Sequence, residues 1–138
     1  MIKRAKRVNG YGVTATADQR GGPTILIVDD DASLRLLCRV NLEFEGYKVL
    51  EAPSVAAAED AVAADPVDLF LLDVHIGADD GLSLMRSLRA REHNAPVVLF
   101  TGSARLDSVT VAEADGVVPK PFRLEQLLDV VRELAPHR

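Results

Sequence analysis

Tryptophan is absent from this chain, aromatic residues make up 4% of it, and cysteine occurs once, at Cys38. Val, Leu and Ala must therefore build the core. A single cysteine excludes an intramolecular disulfide and makes a reducing, cytoplasmic compartment the expectation. Cys38 falls among the apolar positions of a predicted helix, where a free thiol is inert packing. No apolar run approaches the roughly 20 residues of a membrane-spanning helix. The start of the chain lacks the apolar stretch of a secretory signal.

The composition, 48% apolar and 27% charged over 138 residues, fits one globular domain of ordinary core size. Its charge is uneven. Residues 1–22 carry Lys3, Arg4, Lys6, Arg7 and Arg20 against Asp18, a local balance of +4 that leaves −9 on the remainder of a chain of net −5. This segment has no apolar periodicity and reads as a disordered basic tail before a domain at 23–138. The acidic globular part argues against direct nucleic-acid binding.

From Pro23 onward, strand and helix patterns alternate five times. Strands are predicted at Thr24–Val28, Tyr47–Glu51, Val67–Leu72, Pro96–Thr101 and Val117–Val118. Helices are predicted at Ala32–Glu45, Ser54–Ala64, Leu82–Arg91 and Arg123–Leu134, with a poorly marked one between Ala104 and Ala114. Val74–Asp80 reads as a loop. Leu34, Leu37, Cys38 and Leu42 form the expected inner face of the first helix, and Leu82, Met85 and Leu88 that of the third. Five such units specify an α/β, doubly wound, five-stranded parallel sheet with helices on both faces.

The carboxyl ends of parallel strands share one edge, where ligands bind. Asp29 and Asp30 follow the first strand, Asp73 the third, Thr101 ends the fourth, and Lys120 follows the fifth. Three crowded carboxylates raise one another's pKa values unless a cation neutralises them. Magnesium, which prefers carboxylate, water and phosphate oxygens, suits such a set. Asp31 is left to capping the first helix. Asp73 is the candidate nucleophile for an aspartyl phosphate, with Lys120 as point charge and the Thr101 hydroxyl as donor. Pro119 and Pro121 stiffen the backbone around Lys120 and make the Lys120–Pro121 bond a candidate cis peptide.

Val-Asp29-Asp30, Leu-Leu-Asp73, Phe-Thr101-Gly and Pro-Lys120-Pro-Phe, in that order on this pattern, closely resemble the receiver domain of two-component response regulators, the CheY-like superfamily, in its stand-alone form. The resemblance spans Thr24 to about Leu134. It implies a flavodoxin-like sheet of order 2-1-3-4-5. It also implies phosphorylation of Asp73 by a histidine kinase or histidine phosphotransfer protein. Magnesium would be held by Asp29, Asp30, Asp73 and the backbone carbonyl of His75. Output would run through contacts with a downstream protein, from a monomer or weak homodimer, with no catalysis beyond the domain's own phosphorylation and dephosphorylation. Two other readings compete: a phosphorylation-independent interaction module of the same fold, and an aspartyl-phosphate hydrolase. The latter wants an acid where this chain has His75.

The chain departs from the family pattern in places. Val117 stands where the family usually has Tyr or Phe, the ring that follows the Thr inward. Gly77 replaces a common Pro, which should loosen the loop after Asp73. The Thr101–Lys120 segment is shorter by about one turn, or 3.6 residues. Its β-branched residues Val109, Thr110 and Val111 predict a short or irregular helix. On the first helix, Leu36, Val40 and Phe44 repeat on a second side, a candidate docking stripe for a phosphodonor bundle. His75 and Ser103 are expected to border the phosphoryl group.

Overall fold

A computed structural model describes residues 22–102 and 106–137. The basic tail and Ser103 lie outside the described residues. The elements are β1 (Thr24–Val28), α1 (Ala32–Phe44), β2 (Lys48–Ala52), α2 (Val55–Ala64), β3 (Leu69–Asp73), β4 (His75–Ile76), β5 (Asp79–Asp80), α3 (Gly81–Ala90), β6 (Val97–Thr101), α4 (Ser108–Glu113), β7 (Gly116–Pro119) and α5 (Leu124–Leu134).

Five strands form one sheet in the order β2-β1-β3-β6-β7, each paired in parallel with its neighbours. This is the expected 2-1-3-4-5 order, because β4 and β5 stand apart as an antiparallel pair. Every residue of β3 and β6 is buried, which explains their unbroken apolar runs. Alternate side chains feed two cores. Ile25, Ile27, Leu69, Leu71 and Phe100 meet Cys38, Leu42, Leu127 and Val131 of α1 and α5. Leu26, Val28, Phe70, Leu72 and Leu99 meet Ala58, Leu84, Met85 and Leu88 of α2 and α3. The Cys38 thiol is fully buried, and burial pushes its pKa up to about 12, as inert packing requires.

Side-chain caps start four helices: Asp31, Ser54, Asp80 and Asp107 accept backbone N–H groups of α1, α2, α3 and α4. The fourth helix is short, as its β-branched sequence predicts, with six residues.

Three expectations need correction. Leu37 is 48% exposed, because α1 packs through Leu34, Cys38 and Leu42, and Leu37 is turned to the flank. On α3 the inner face is Leu84, Met85 and Leu88, while Leu82 is half-buried beside them. The segment Val74–Asp80, expected as a loop, is paired with itself. Gly77 takes φ +60°, a left-handed turn closed to proline, and allows His75–Ile76 to pair with Asp79–Asp80.

At the amino ends of the strands the chain's entry and exit meet. Gly22 N–H donates to the Gly46 carbonyl (2.9 Å), and the Tyr47 hydroxyl donates to the Ala135 carbonyl (2.9 Å). The His137 ring lies 4.4 Å from that of Tyr47 and leaves no room for a side chain at Gly22.

Candidate phosphoacceptor and cation site

The chain leaves β1 through two acids with different fates. Asp29 is wholly buried. Its Oδ1 accepts the Asp31 N–H (2.9 Å) and its Oδ2 accepts Lys120 Nζ (2.9 Å). Asp30 is exposed. Asp31 takes the capping role, accepting the N–H groups of Ser33 (3.0 Å) and Leu34 (3.2 Å). It is thereby occupied away from the acid cluster.

Asp73 ends β3, next to β1 in the sheet. Its Oδ1 accepts the His75 N–H (3.2 Å) and its Oδ2 accepts Lys120 Nζ (3.1 Å). Gly81 supports it from behind: a Cβ there would collide with the Asp73 carbonyl, so α3 abuts the end of β3 only because position 81 is glycine. The sequence marked Gly81 as punctuation alone. The Asp80-Gly81 pair opening an apolar helix was the available signal.

Asp73 pairs with Phe100, which brings Thr101 beside it at the end of β6; Thr101 is 5% exposed. The Thr101 carbonyl accepts the Lys120 N–H (2.7 Å), tying the ends of β6 and β7. Lys120 follows Pro119 and precedes a cis peptide to Pro121. Beneath it, the rings of Phe100 and Phe122 stack at 5.3 Å. Residues distant in sequence are thus brought together: Asp29, Asp30, Asp73, Thr101 and Lys120 share one rim. His75 is exposed in β4, its side chain outside this pocket's network.

Ligand oxygens of Asp29, Asp30 and Asp73 lie within 4.8 Å of one another. Burial, reinforced by the charge of Asp73, raises the pKa of Asp29 despite bonds from Asp31 and Lys120. Burial lowers the pKa of Lys120, but the hydrogen bonds and charges of Asp29 and Asp73 outweigh it and raise the value overall. Three carboxylates against one ammonium leave a formal charge of −2, met by hard oxygen donors alone. That donor set and charge fit magnesium.

A family model described as the response regulator receiver domain matches residues 25–132. The chain belongs to the response regulator receiver family. Over 116 residues this receiver is 40% identical to response regulator MprA of Mycobacterium avium, covering 80% of this chain and 50% of that protein. The chain spans about half the length of the curated relatives it matches. Among solved structures, the receiver domain of TorR, a response regulator of the TMAO respiratory system, is 33% identical, with a TM-score of 0.75 over 81% of this chain and 95% of that one. Response regulator TrrA of Thermotoga maritima, solved in complex with Mg²⁺-BeF, is 27% identical, with a TM-score of 0.74 over 81% and 98%. Among the described residues, no helix of this receiver is long and apolar enough to cross a membrane.

From the turn next to the acids to its far end, α1 presents an apolar strip to solvent. Leu36, Leu37, Val40 and Phe44 are 52%, 48%, 53% and 90% exposed. A cleft of about 250 Å³ separates this helix from the Lys120–Pro121–Phe122 segment, lined by Leu34, Leu37, Phe122 and Leu124.

Proposed function

We propose that this receiver is a phosphoacceptor of a two-component phosphorelay, modified on Asp73 by a histidine kinase or histidine phosphotransfer protein. The observation that carries the reading is the convergence of Asp29, Asp30 and Asp73 within 4.8 Å, with Lys120 bridging two of them. A carboxylate oxygen of Asp73 bonds to phosphorus as the phosphorus–nitrogen bond of a donor phosphohistidine breaks, its electron pair staying on the imidazole. Lys120, already 3.1 Å from Asp73, remains as a point charge for a phosphoryl oxygen. The Thr101 hydroxyl donates to another. When bound, magnesium supplies further positive charge to these oxygens, held by Asp29, Asp30, Asp73 and the His75 carbonyl. Hydrolysis removes the modification: water bonds to phosphorus as the bond from phosphorus to the Asp73 oxygen breaks, its electron pair restoring the carboxylate and inorganic phosphate leaving with the water's oxygen. The domain performs only this chemistry on itself, in the cytoplasm, and signals by protein contact.

The reading is tested by mass spectrometry after acetyl phosphate and Mg²⁺. A phosphoryl adduct that Asp73→Asn abolishes supports it. An unmodified wild-type protein overturns it in favour of a phosphorylation-independent module.

The strip of Leu36, Val40 and Phe44 is assigned to docking the donor's helical bundle, since it is apolar and exposed and runs along the helix whose first turn adjoins the acids. Leu36→Glu with Val40→Glu slows transfer from a protein donor and spares acetyl phosphate. Equal slowing of both removes the docking role.

A further inference from the structure

The three acids are not held alike. Asp29 and Asp73 each accept a backbone N–H and Lys120. The carboxylate of Asp30 has no such bond among the described residues and is exposed. Its direction is therefore set by the backbone that carries it, the Asp29–Asp30 peptide. That peptide lies one step beyond the ladder of β1, which ends at Val28.

The Asp29 N–H still donates to the Ala52 carbonyl (3.1 Å), whereas the Asp29 carbonyl is held by a side chain. Arg35, on the first turn of α1, donates from Nη1 to the Asp29 carbonyl (2.6 Å). Its Nε donates to Glu51 Oε1 (3.0 Å), and Arg39 Nη1 holds the other oxygen, Oε2 (2.7 Å). Arg35 is 14% exposed and Glu51 23%, so the brace is largely sheltered from solvent. A planar guanidinium can serve a carboxylate and a carbonyl at fixed angles at once; an ammonium cannot hold that geometry.

We propose that Arg35, braced by Glu51 from β2, is a positioning residue that presets Asp30 for the divalent cation. The inference rests on the reading of the acid pocket as a magnesium site. Its sign separates it from plain electrostatics. A cation beside an acidic site repels magnesium, so deleting Arg35 as a mere charge tightens binding. Deleting it as a brace loosens binding, because Asp30 loses its aim.

Calorimetric titration with MgCl₂ in the absence of any phosphodonor reads the difference. Arg35→Met weakens magnesium binding about tenfold, the scale of lost outer support at metal sites. Arg35→Lys, which keeps the charge, weakens it similarly. Glu51→Gln, which loosens the brace but keeps an acceptor, gives a smaller loss. In the metal-free variants the Asp30 amide resonance shifts while those of β6 and β7 stay in place. Cooperative melting establishes folding; should Arg35→Met fail to fold, Arg35→Lys and Glu51→Gln decide the matter. Wild-type binding with unchanged or tighter binding in the folded variants overturns the positioning role alone. Absence of magnesium binding in the wild type overturns both it and the pocket reading.

Discussion

The rim around Asp29 and Asp73 and the flank around α4 are held by opposite means. At the rim, buried carboxylates are fixed by backbone N–H groups and by Lys120. Around α4, the ties are solvent-facing arginines of α3: Arg86 to Glu113 (2.9 Å) and Arg89 to Asp115 (2.6 Å). Helix α4 has six residues, and Val109 and Val111 are 68% and 45% exposed. Exposed ion pairs contribute little net stability. The rim's charges are thus placed by sheltered bonds, whereas the ion pairs of the neighbouring flank add little to holding α4 where it is. A site that accepts a group needs fixed geometry; a surface that reports it needs two packings close in energy.

The sharpest break of this contrast is Asp73→Asn, which eliminates the phosphoryl adduct, whereas Arg86→Ala leaves the rate of adduct formation within about twofold, as expected for an exposed pair. Both are read by mass spectrometry. Next is Asp29→Asn, which removes buried like charge and raises the melting temperature of the metal-free protein, at roughly 4 °C per kcal/mol gained. It also removes the further rise that Mg²⁺ gives the wild type. A smaller effect is the pH dependence of metal-free stability. Because the folded pKa of Asp29 is raised above 3.8, its ionisation opposes folding. Stability from this group is greatest below 3.8 and falls as pH rises through the folded value; Mg²⁺ flattens the fall. The contribution of Lys120 has the same sign at the alkaline end of the scale, complete below 10.5 and lost as pH climbs through its raised folded value. Denaturant titrations across pH, with and without Mg²⁺, measure both. The smallest effect is Val117→Phe, which leaves acetyl phosphate reactivity within about twofold and alters only hydrogen exchange in α4. A large loss of reactivity there would erase the distinction between rim and flank.

The rim was legible because strand ends carry their chemistry at fixed sequence positions. Asp29, Asp73, Thr101 and Lys120 each close an apolar run, and parallel pairing alone then brings them together. Asp31 was separable from Asp29 and Asp30 because a helix needs a cap one residue before it starts. Other features depended on contacts that no local pattern records. Leu37 turned outward while Leu34, Cys38 and Leu42 stayed in, and Leu84 took the inner place of Leu82, because a helix's exact rotation is set by the sheet beneath it. The β4–β5 hairpin depended on Gly77 reaching φ +60°, which glycine permits but does not impose. The Arg35–Glu51 brace joins residues 16 apart in sequence, on a helix and a strand whose faces become neighbours only after folding.

The packing of Gly22 beside His137 has a topological consequence. The described residues thus begin and end side by side, on the rim opposite the acids, separated from them by the length of a five-residue strand, roughly 17 Å. A short peptide could join Gly22 to His137 without disturbing Asp73, and new ends could be cut in an exposed turn elsewhere.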